Sequence, residues 1–340
     1  MAEKLLEVKN LEVSFKTYAG IVKAVRGTSF HVNKGETLAL VGESGCGKTV
    51  TAKSIIGILP KYQTIIGEKS EIILNGRDIL RLPEKEMRKV RGNEVGMIFQ
   101  DPMTSLNPTA RIGDQIAEGL KLHTNKTKQE IDAEVLRLLD LVRIPNPKVR
   151  AKQYPHEFSG GMRQRAMIAV ALACNPALLI ADEPTTALDV TIQAQIMELM
   201  ADIQKEFDTA IILVTHDLGV VAAYADRIHV MYAGTILERG TVDEIFYESK
   251  HPYTMALLKS VPTLKMENKA SLYALQGTPP DLLNPPVGCA FAPRCEYGMN
   301  ICRRAVPESK EFSDSHNCHC WMLSEEAKKH GITELTGGIR

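Results

Sequence analysis

The stretch ETLALV-GESGCGKT-VTAKSIIGI, residues 36–58, decides how the rest of the chain is read. A short apolar run ends in glycines, and a helical stretch follows from Lys48 to Ile58. Residues 42–49 fit the pattern G-x-x-x-x-G-K-[ST]. Glycines let backbone N–H groups turn inward around phosphate oxygens, and the helix N-terminus adds a favourable dipole. Lys48 is placed to reach the β- and γ-phosphates, and Thr49 to offer a hydroxyl to Mg²⁺. The expected nucleotide contacts are Gly42, Ser44, Gly45, Cys46, Gly47, Lys48, Thr49 and Val50, with Cys46 contributing backbone rather than thiol chemistry. The competing reading, a chance glycine-rich turn, does not account for the strand before the loop and the helix after it.

Outward from this loop the pattern repeats. LEVKNLEVSF (6–15), EIIL (71–74), VGMIF (95–99), ALLIAD (177–182) and AIILVT (210–215) read as strands. Residues 111–143 carry helical spacing in two segments, a helix is expected near Ser159, and another from Ala194 to Phe207. Strands alternating with helices predict an α/β fold with a mainly parallel sheet, with a helical block (101–175) inserted between two of its strands. ALLIADEP (177–184) carries Asp182 to the end of a buried strand, where it can hold the Mg²⁺ shell, and sets Glu183 beside it to polarise an attacking water. Together the two motifs read as a P-loop NTPase.

Bulk properties bound the function classes. Lys+Arg and Asp+Glu are each 41, so the formal net charge is zero and nothing favours nucleic acid as a partner. The N-terminus, MAEKLLEVKNLEV, lacks the apolar core of a signal peptide. The most apolar run, Ala166 to Ala181, is interrupted by Asn175 and Pro176 and is too short to span a bilayer. These features predict a protein that stays on the cytoplasmic side, where it is still free to dock as a peripheral protein on a membrane partner. After His251 the texture changes: TPPDLLNPPVGCAFAPRC holds five prolines. The expected division is a nucleotide-binding domain over 1–255 and an extension over 256–340.

FSGGMRQR (158–165) narrows the class. A serine and two glycines opening a helix form a second anion-binding nest, which makes sense if it serves a nucleotide held by another subunit. Here the sequence resembles the ATP-binding subunits of ABC transporters. Ser159, Gly160 and Gly161 match the family signature LSGGQ, from which Phe158 and Met162 depart. The resemblance implies further roles. Gln100 matches the Q-loop glutamine that touches Mg²⁺ or water, Ala187-Leu188-Asp189 the D-loop at the dimer interface, and His216 the switch histidine that senses the γ-phosphate. The catalytic set it implies is Glu183, His216 and Gln100. Phe15, counted back from Ala24-Val25, stands where an aromatic ring stacks on adenine, and Tyr18 competes with it; plain packing is the other reading of either. The implied fold is a P-loop NTPase of the ABC ATPase type: a RecA-like parallel sheet core, an antiparallel β part, an inserted helical subdomain, and a C-terminal cysteine-rich, metal-binding extension.

MIFQDPMTSLNPTARIGDQI (97–116), HPYT (251–254) and TPPDLLNPPVGCAFAPRC resemble the branch that powers dipeptide and oligopeptide importers, with nickel or other small-solute import as the alternative. That resemblance implies a second, distinct ABC ATPase subunit, two membrane permeases and an extracytoplasmic peptide-binding protein as partners. Cys289, Cys295, Cys302 and Cys320 are spaced C-x5-C-x6-C-x17-C, with Cys318 a fifth candidate. No C-x2–4-C knuckle of the zinc type is present, and spacing alone leaves zinc, an iron–sulfur cluster and simple packing open. In the resembling branch, GC-x-F-x-x-RC followed by His-x3-Cys looks like a holder of a [4Fe–4S] cluster. This implies Cys289, Cys295, Cys302 and Cys320 as ligands, with zinc as the less favoured metal.

Overall fold

A computed structural model describes residues 3–186, 188–260, 275–325 and 327; Ala187 of the D-loop stretch lies outside them. The chain opens with a long hairpin of β1 (Lys4–Thr17) and β2 (Gly20–Asn33). Leu6, Val8, Leu11 and Val13 of β1 are all buried although their spacing is not strictly two. A register shift between Val8 and Leu11, with Asn10 at φ 45°, turns both apolar pairs to the same face. β3 (Thr37–Val41) leads into α1 (Lys48–Ile55), which ends before the expected Ile58 because Gly57 turns out of the helix at φ 65°. β4 (Thr64–Ile66), β5 (Glu71–Leu74) and β6 (Arg77–Asp78) complete an antiparallel sheet of order β2–β1–β5–β6, with β4 also on β1.

α2 (Glu84–Val90) precedes β7 (Val95–Ile98), and the helical block follows: α3 (Pro102–Ser105), α4 (Ile112–His123), α5 (Lys128–Leu141), α6 (Pro147–Arg150) and α7 (Gly160–Leu172). The chain returns to the sheet at β8 (Leu178–Asp182). α8 (Val190–Phe207) starts earlier than the expected Ala194, because the Asp189 carboxylate caps it by accepting from the Ile192 N–H at 3.0 Å. Then come β9 (Ala210–Thr215), α9 (Leu218–Tyr224), β10 (Arg227–Tyr232), β11 (Thr235–Thr241), α10 (Val242–Glu248) and α11 (Pro252–Lys259). The C-terminal segment holds α12 (Asn300–Arg304), β12 (Ser309–Glu311) and β13 (Asn317–His319).

The main sheet has the order β12–β13–β11–β10–β3–β9–β8–β7, parallel from β10 to β7 and antiparallel at its other edge. Strands β3, β9, β8 and β7 are buried along their whole length and mostly apolar because both faces are covered. Leu178 and Ile180 of β8 join the core shared with α1 and the antiparallel sheet, whereas Leu179 and Ala181 join the core under the helical block. β3 divides likewise: Leu38 and Leu40 face the first of these cores, Ala39 and Val41 a third beneath α9–α11. No helix among the described residues is long and apolar enough to cross a membrane.

The C-terminal segment is stitched onto the sheet rather than set apart. β13 pairs with β11, Glu238 opposite Cys318. The fully buried Glu238 carboxylate accepts from the N–H groups of Lys250 (2.6 Å) and His251 (3.1 Å) and lies 2.9 Å from His316 Nε2. His251 in turn caps α11, its Nδ1 accepting from the Tyr253 N–H at 3.0 Å. Burial pushes the His251 imidazole down to about 4, against the smaller opposing pull of Glu238. The unfolded chain therefore takes up a proton near pH 6.5 that the folded chain refuses until about pH 4. Stability should fall as pH drops through that window, by on the order of 2–3 kcal/mol from this residue. Urea unfolding between pH 7.5 and 4.5 measures the slope, and His251→Asn, which keeps a capping oxygen, should flatten it.

Candidate active site

Parallel pairing sets the carboxyl ends of β3, β9, β8 and β7 side by side, where ligands collect in open α/β sheets. β3 ends in the phosphate loop, β9 in His216, β8 in Asp182 and Glu183, and β7 is followed by Gln100. They face a cavity of about 860 Å³ lined by the loop from Gly42 to Gly45 and from Gly47 to Val50, with Gln100, Glu183 and His216 across from it. Two glycines are dictated by close approach. A Cβ at Gly42 would lie 2.2 Å from the Met231 carbonyl oxygen, and one at Gly47 would lie 2.6 Å from that of Ala24, both at positive φ. Lys48 lies buried at the first position of α1, its Nζ donating to the carbonyls of Gly42 (2.7 Å) and Glu43 (3.0 Å).

Thr49 Oγ1 donates to Asp182 Oδ1 at 2.8 Å. Burial pushes the Asp182 carboxyl up, with the Thr49 hydrogen bond and the charge of Lys53 acting the other way. A desolvated carboxylate beside a hydroxyl gains strongly from a divalent cation. Glu183 follows at φ 50°, a backbone conformation rarely held by a non-glycine residue and concentrated at functional sites. Its N–H still bonds to Val214 O of β9 at 2.9 Å, so the backbone twist turns the side chain without leaving the sheet. Glu183 Oε2 accepts from Gln100 Nε2 and from Thr186 Oγ1, each at 2.9 Å, and Oε1 stands 3.6 Å from Nδ1 of the exposed His216. One carboxylate thus gathers the groups read as Q-loop, acid and switch.

Other expected residues lie elsewhere. Ser159, Gly160 and Gly161 do not line the cavity; they open α7 at the surface, with Ser159 Oγ accepting from the Met162 N–H at 3.3 Å. Phe158 is buried in the core under the helical block, so an aromatic ring in place of leucine there serves packing. Asp189 is exposed at the start of α8. Phe15 packs against the core of the antiparallel sheet and Tyr18 projects into solvent at the β1–β2 turn; neither lines the cavity. The sequence reading missed part of the lining altogether. Leu257, Ser260, Leu275 and Pro279 of the C-terminal part line the same cavity. The HPYT motif just before Leu257 was the available signal.

All seven cysteines are free thiols. Gly288 lets the Cys289 N–H reach the Cys302 carbonyl at 2.7 Å; a Cβ at Gly288 would sit 2.2 Å from that oxygen. Burial pushes the Cys289 thiol up, Cys295 to about 11 and Cys320 to about 12. The neighbouring thiols add to the rise: Cys320 feels Cys289, Cys295 and Cys302. Cys318 is also raised, chiefly by burial and then by Glu238. Among the described residues no three His, Cys, Asp or Glu side chains are grouped so as to hold a metal ion, so the expected metal-binding character of the extension finds no geometric counterpart there.

Fold and site together define an ATPase of the ABC class. The family profile described as ABC transporter matches residues 25–186, and that described as oligopeptide/dipeptide transporter, C-terminal region, matches residues 237–302. The chain is 58% identical over 326 residues to the oligopeptide transport ATP-binding protein OppD of Bacillus subtilis (96% of this chain, 91% of that one). It is 56% identical over 326 residues to the dipeptide transport ATP-binding protein DppD of the same organism (96% and 97%). A dimeric, post-hydrolysis structure of the ATP-binding cassette MJ0796 bound to ADP and Pi superposes with a TM-score of 0.62 at 27% identity, over 70% of this chain and 99% of that one. The chain belongs to the ABC transporter ATP-binding family, in the group that contains these oligopeptide and dipeptide proteins.

Cys46 makes a chemical point about the loop. Its side chain is buried, with Sγ 3.9 Å from Lys48 Nζ, and burial pushes the thiol up despite that charge. Only the thiolate alkylates, and raising the thiol lowers its thiolate fraction at neutral pH. Iodoacetamide at pH 7.5 should therefore spare Cys46 in the folded protein and modify it at least about tenfold faster in urea, as read by peptide mass spectrometry.

Proposed function

We propose that this chain is the ATP-hydrolysing subunit of a peptide importer, working at the cytoplasmic face of the membrane as a peripheral partner of two permeases. The carrying observation is the Glu183 carboxylate, held by Gln100 and Thr186 and facing His216 at the mouth of the phosphate loop. Residues Gly42–Thr49 receive the triphosphate, Lys48 exchanging its carbonyl partners for phosphate oxygens. Glu183 polarises the attacking water and Gln100 orients it. His216 reports on the γ-phosphate. Thr49, Asp182 and Gln100 fit a magnesium ion, which when bound supplies charge neutralisation to the β- and γ-phosphates. Catalysis is then positioning and electrostatic stabilisation. Ser159, Gly160 and Gly161, at a helix start with the first two exposed, serve the nucleotide of a second ATPase subunit, a distinct homologue, with Asp189 at the shared interface. An extracytoplasmic peptide-binding protein delivers the cargo. Residues 1–255 form the motor and 256–340 the branch-specific extension.

Glu183→Gln should leave MgATP binding intact and cut turnover by at least about a hundredfold. A dimer-sized species retaining ATP should appear on gel filtration. Wild-type turnover in this variant would remove Glu183 from its assigned role.

We further propose that Cys289, Cys295, Cys302 and Cys320 bind a [4Fe–4S] cluster. Supporting this are the sequence resemblance and the soft donor set that four free thiols supply, Cys302 buried and the other three half-buried. Among the described residues they are not grouped as a metal site, so binding the cluster requires them to draw together. The cluster would hold a proline-rich segment together and carries no step of ATP hydrolysis. Anaerobic purification should yield a brown protein with about four iron and four acid-labile sulfide per chain, lost in Cys295→Ser. Stoichiometric zinc in a colourless protein would refute it.

A further inference from the structure

Two C-terminal motifs, HPYT and FAPRC, have no part in the hydrolysis chemistry, yet both converge on one phosphate-loop residue, Glu43. The Glu43 N–H donates to Tyr253 Oη at 2.9 Å. Its carboxylate takes both arms of Arg294, Nη1 to Oε2 at 2.5 Å and Nη2 to Oε1 at 3.0 Å. Arg294 is itself fixed. Its side chain is 4% exposed, Nε donates to Gln276 O at 2.9 Å, and Nη1 also reaches Tyr232 Oη at 3.2 Å. Tyr232, Tyr253 and Phe291 pack ring against ring, with centroids 4.6–5.4 Å apart, so the Tyr253 hydroxyl that accepts from Glu43 and the Tyr232 hydroxyl beside Arg294 stand on one aromatic cluster. A planar guanidinium engaging a carboxylate through two bonds fixes orientation as well as distance. The Glu43 carbonyl in turn accepts from Lys48 Nζ at 3.0 Å.

We propose that Arg294 is a positioning residue for nucleotide. By gripping Glu43 it holds the phosphate loop, and through the Glu43 carbonyl the Lys48 amine, in the shape that receives the phosphates. The C-terminal segment thereby sets nucleotide affinity from outside the cleft. This rests on Gly42–Thr49 being the ATP site. The rival is a buried ion pair that only stabilises the fold. The two differ in what they do to binding: a fold-only pair moves the melting temperature and leaves ligand affinity alone, whereas a displaced loop weakens affinity.

The test is the MgATP dissociation constant of the full chain by titration calorimetry, with thermal melts alongside. Arg294→Ala and Glu43→Gln should each weaken binding about tenfold. The double variant should be no weaker than the worse single one within about twofold, because both remove the same link. Arg294→Lys, which keeps the charge without the fork, should fall between. Lys48→Ala is the control for the site itself; if it binds ATP normally, the reading of the site fails, and this inference with it. If Lys48→Ala abolishes binding while a folded Arg294→Ala binds like the wild type, only the inference fails. Losses that multiply in the double variant would also overturn it. Should Arg294→Ala not fold, Glu43→Gln carries the test alone, since the Glu43 side chain is partly exposed, and unchanged affinity there refutes the proposal.

Discussion

Level, parallel pairing of β3, β9, β8 and β7 is the constraint on which everything else depends. Each pair registers so that the strands finish on one edge: Val41 opposite Thr215, Asp182 opposite Val214, Ile98 opposite Ala181. Any slip by one residue would turn the apolar set of a strand to the wrong core and carry its terminal polar residue out of the cavity. Two-sided burial enforces that register, since alternate residues of β8 and β9 belong to different cores. The chemistry is thus aligned by hydrophobic packing below it. Glu183 is the point where the alignment is locally broken, its positive φ aiming a carboxylate that regular strand geometry would leave elsewhere.

Much of this was readable in advance, for physical reasons. Buried parallel strands are continuous apolar runs, and ALLIAD and AIILVT carry that signal within six residues each. Phosphate loops need glycines at fixed spacing because the backbone itself is the ligand, so Gly42 and Gly47 mark the site without reference to anything distant. Capping residues were less visible, and α8 therefore begins at Val190, ahead of the apolar periodicity that suggested Ala194. The β10–β11 hairpin passed unread, as RIHVMY and TILERGT mix polar residues into buried positions; His229 and Glu238 are both fully buried there.

What the sequence could not show is non-local. Nothing in FAPRC announces that Arg294 meets Glu43, because the two are 251 residues apart and joined only by the way the chain returns. The contribution of Leu257, Ser260, Leu275 and Pro279 to the cavity lining escaped for the same cause. Cysteine spacing is limited in a different way: it counts candidate ligands but does not arrange them. The adenine candidates show a further limit. Position relative to Ala24-Val25 picked out Phe15, whose half-buried ring packs against the core of the antiparallel sheet, a contact that spacing along the chain does not show.

The β11–β13 pairing has a consequence for how the molecule is made. Strand β11 is the outermost strand of the motor to leave the ribosome, and its partner follows only after some seventy further residues. Until then its open edge offers unpaired backbone groups to any passing strand. Glu238 lacks His316 over the same interval. Strand pairing therefore runs across the boundary between motor and extension that texture suggests. During synthesis the sheet stays unfinished until β13 has emerged, which links the time of completion of the catalytic half to that of the C-terminal segment.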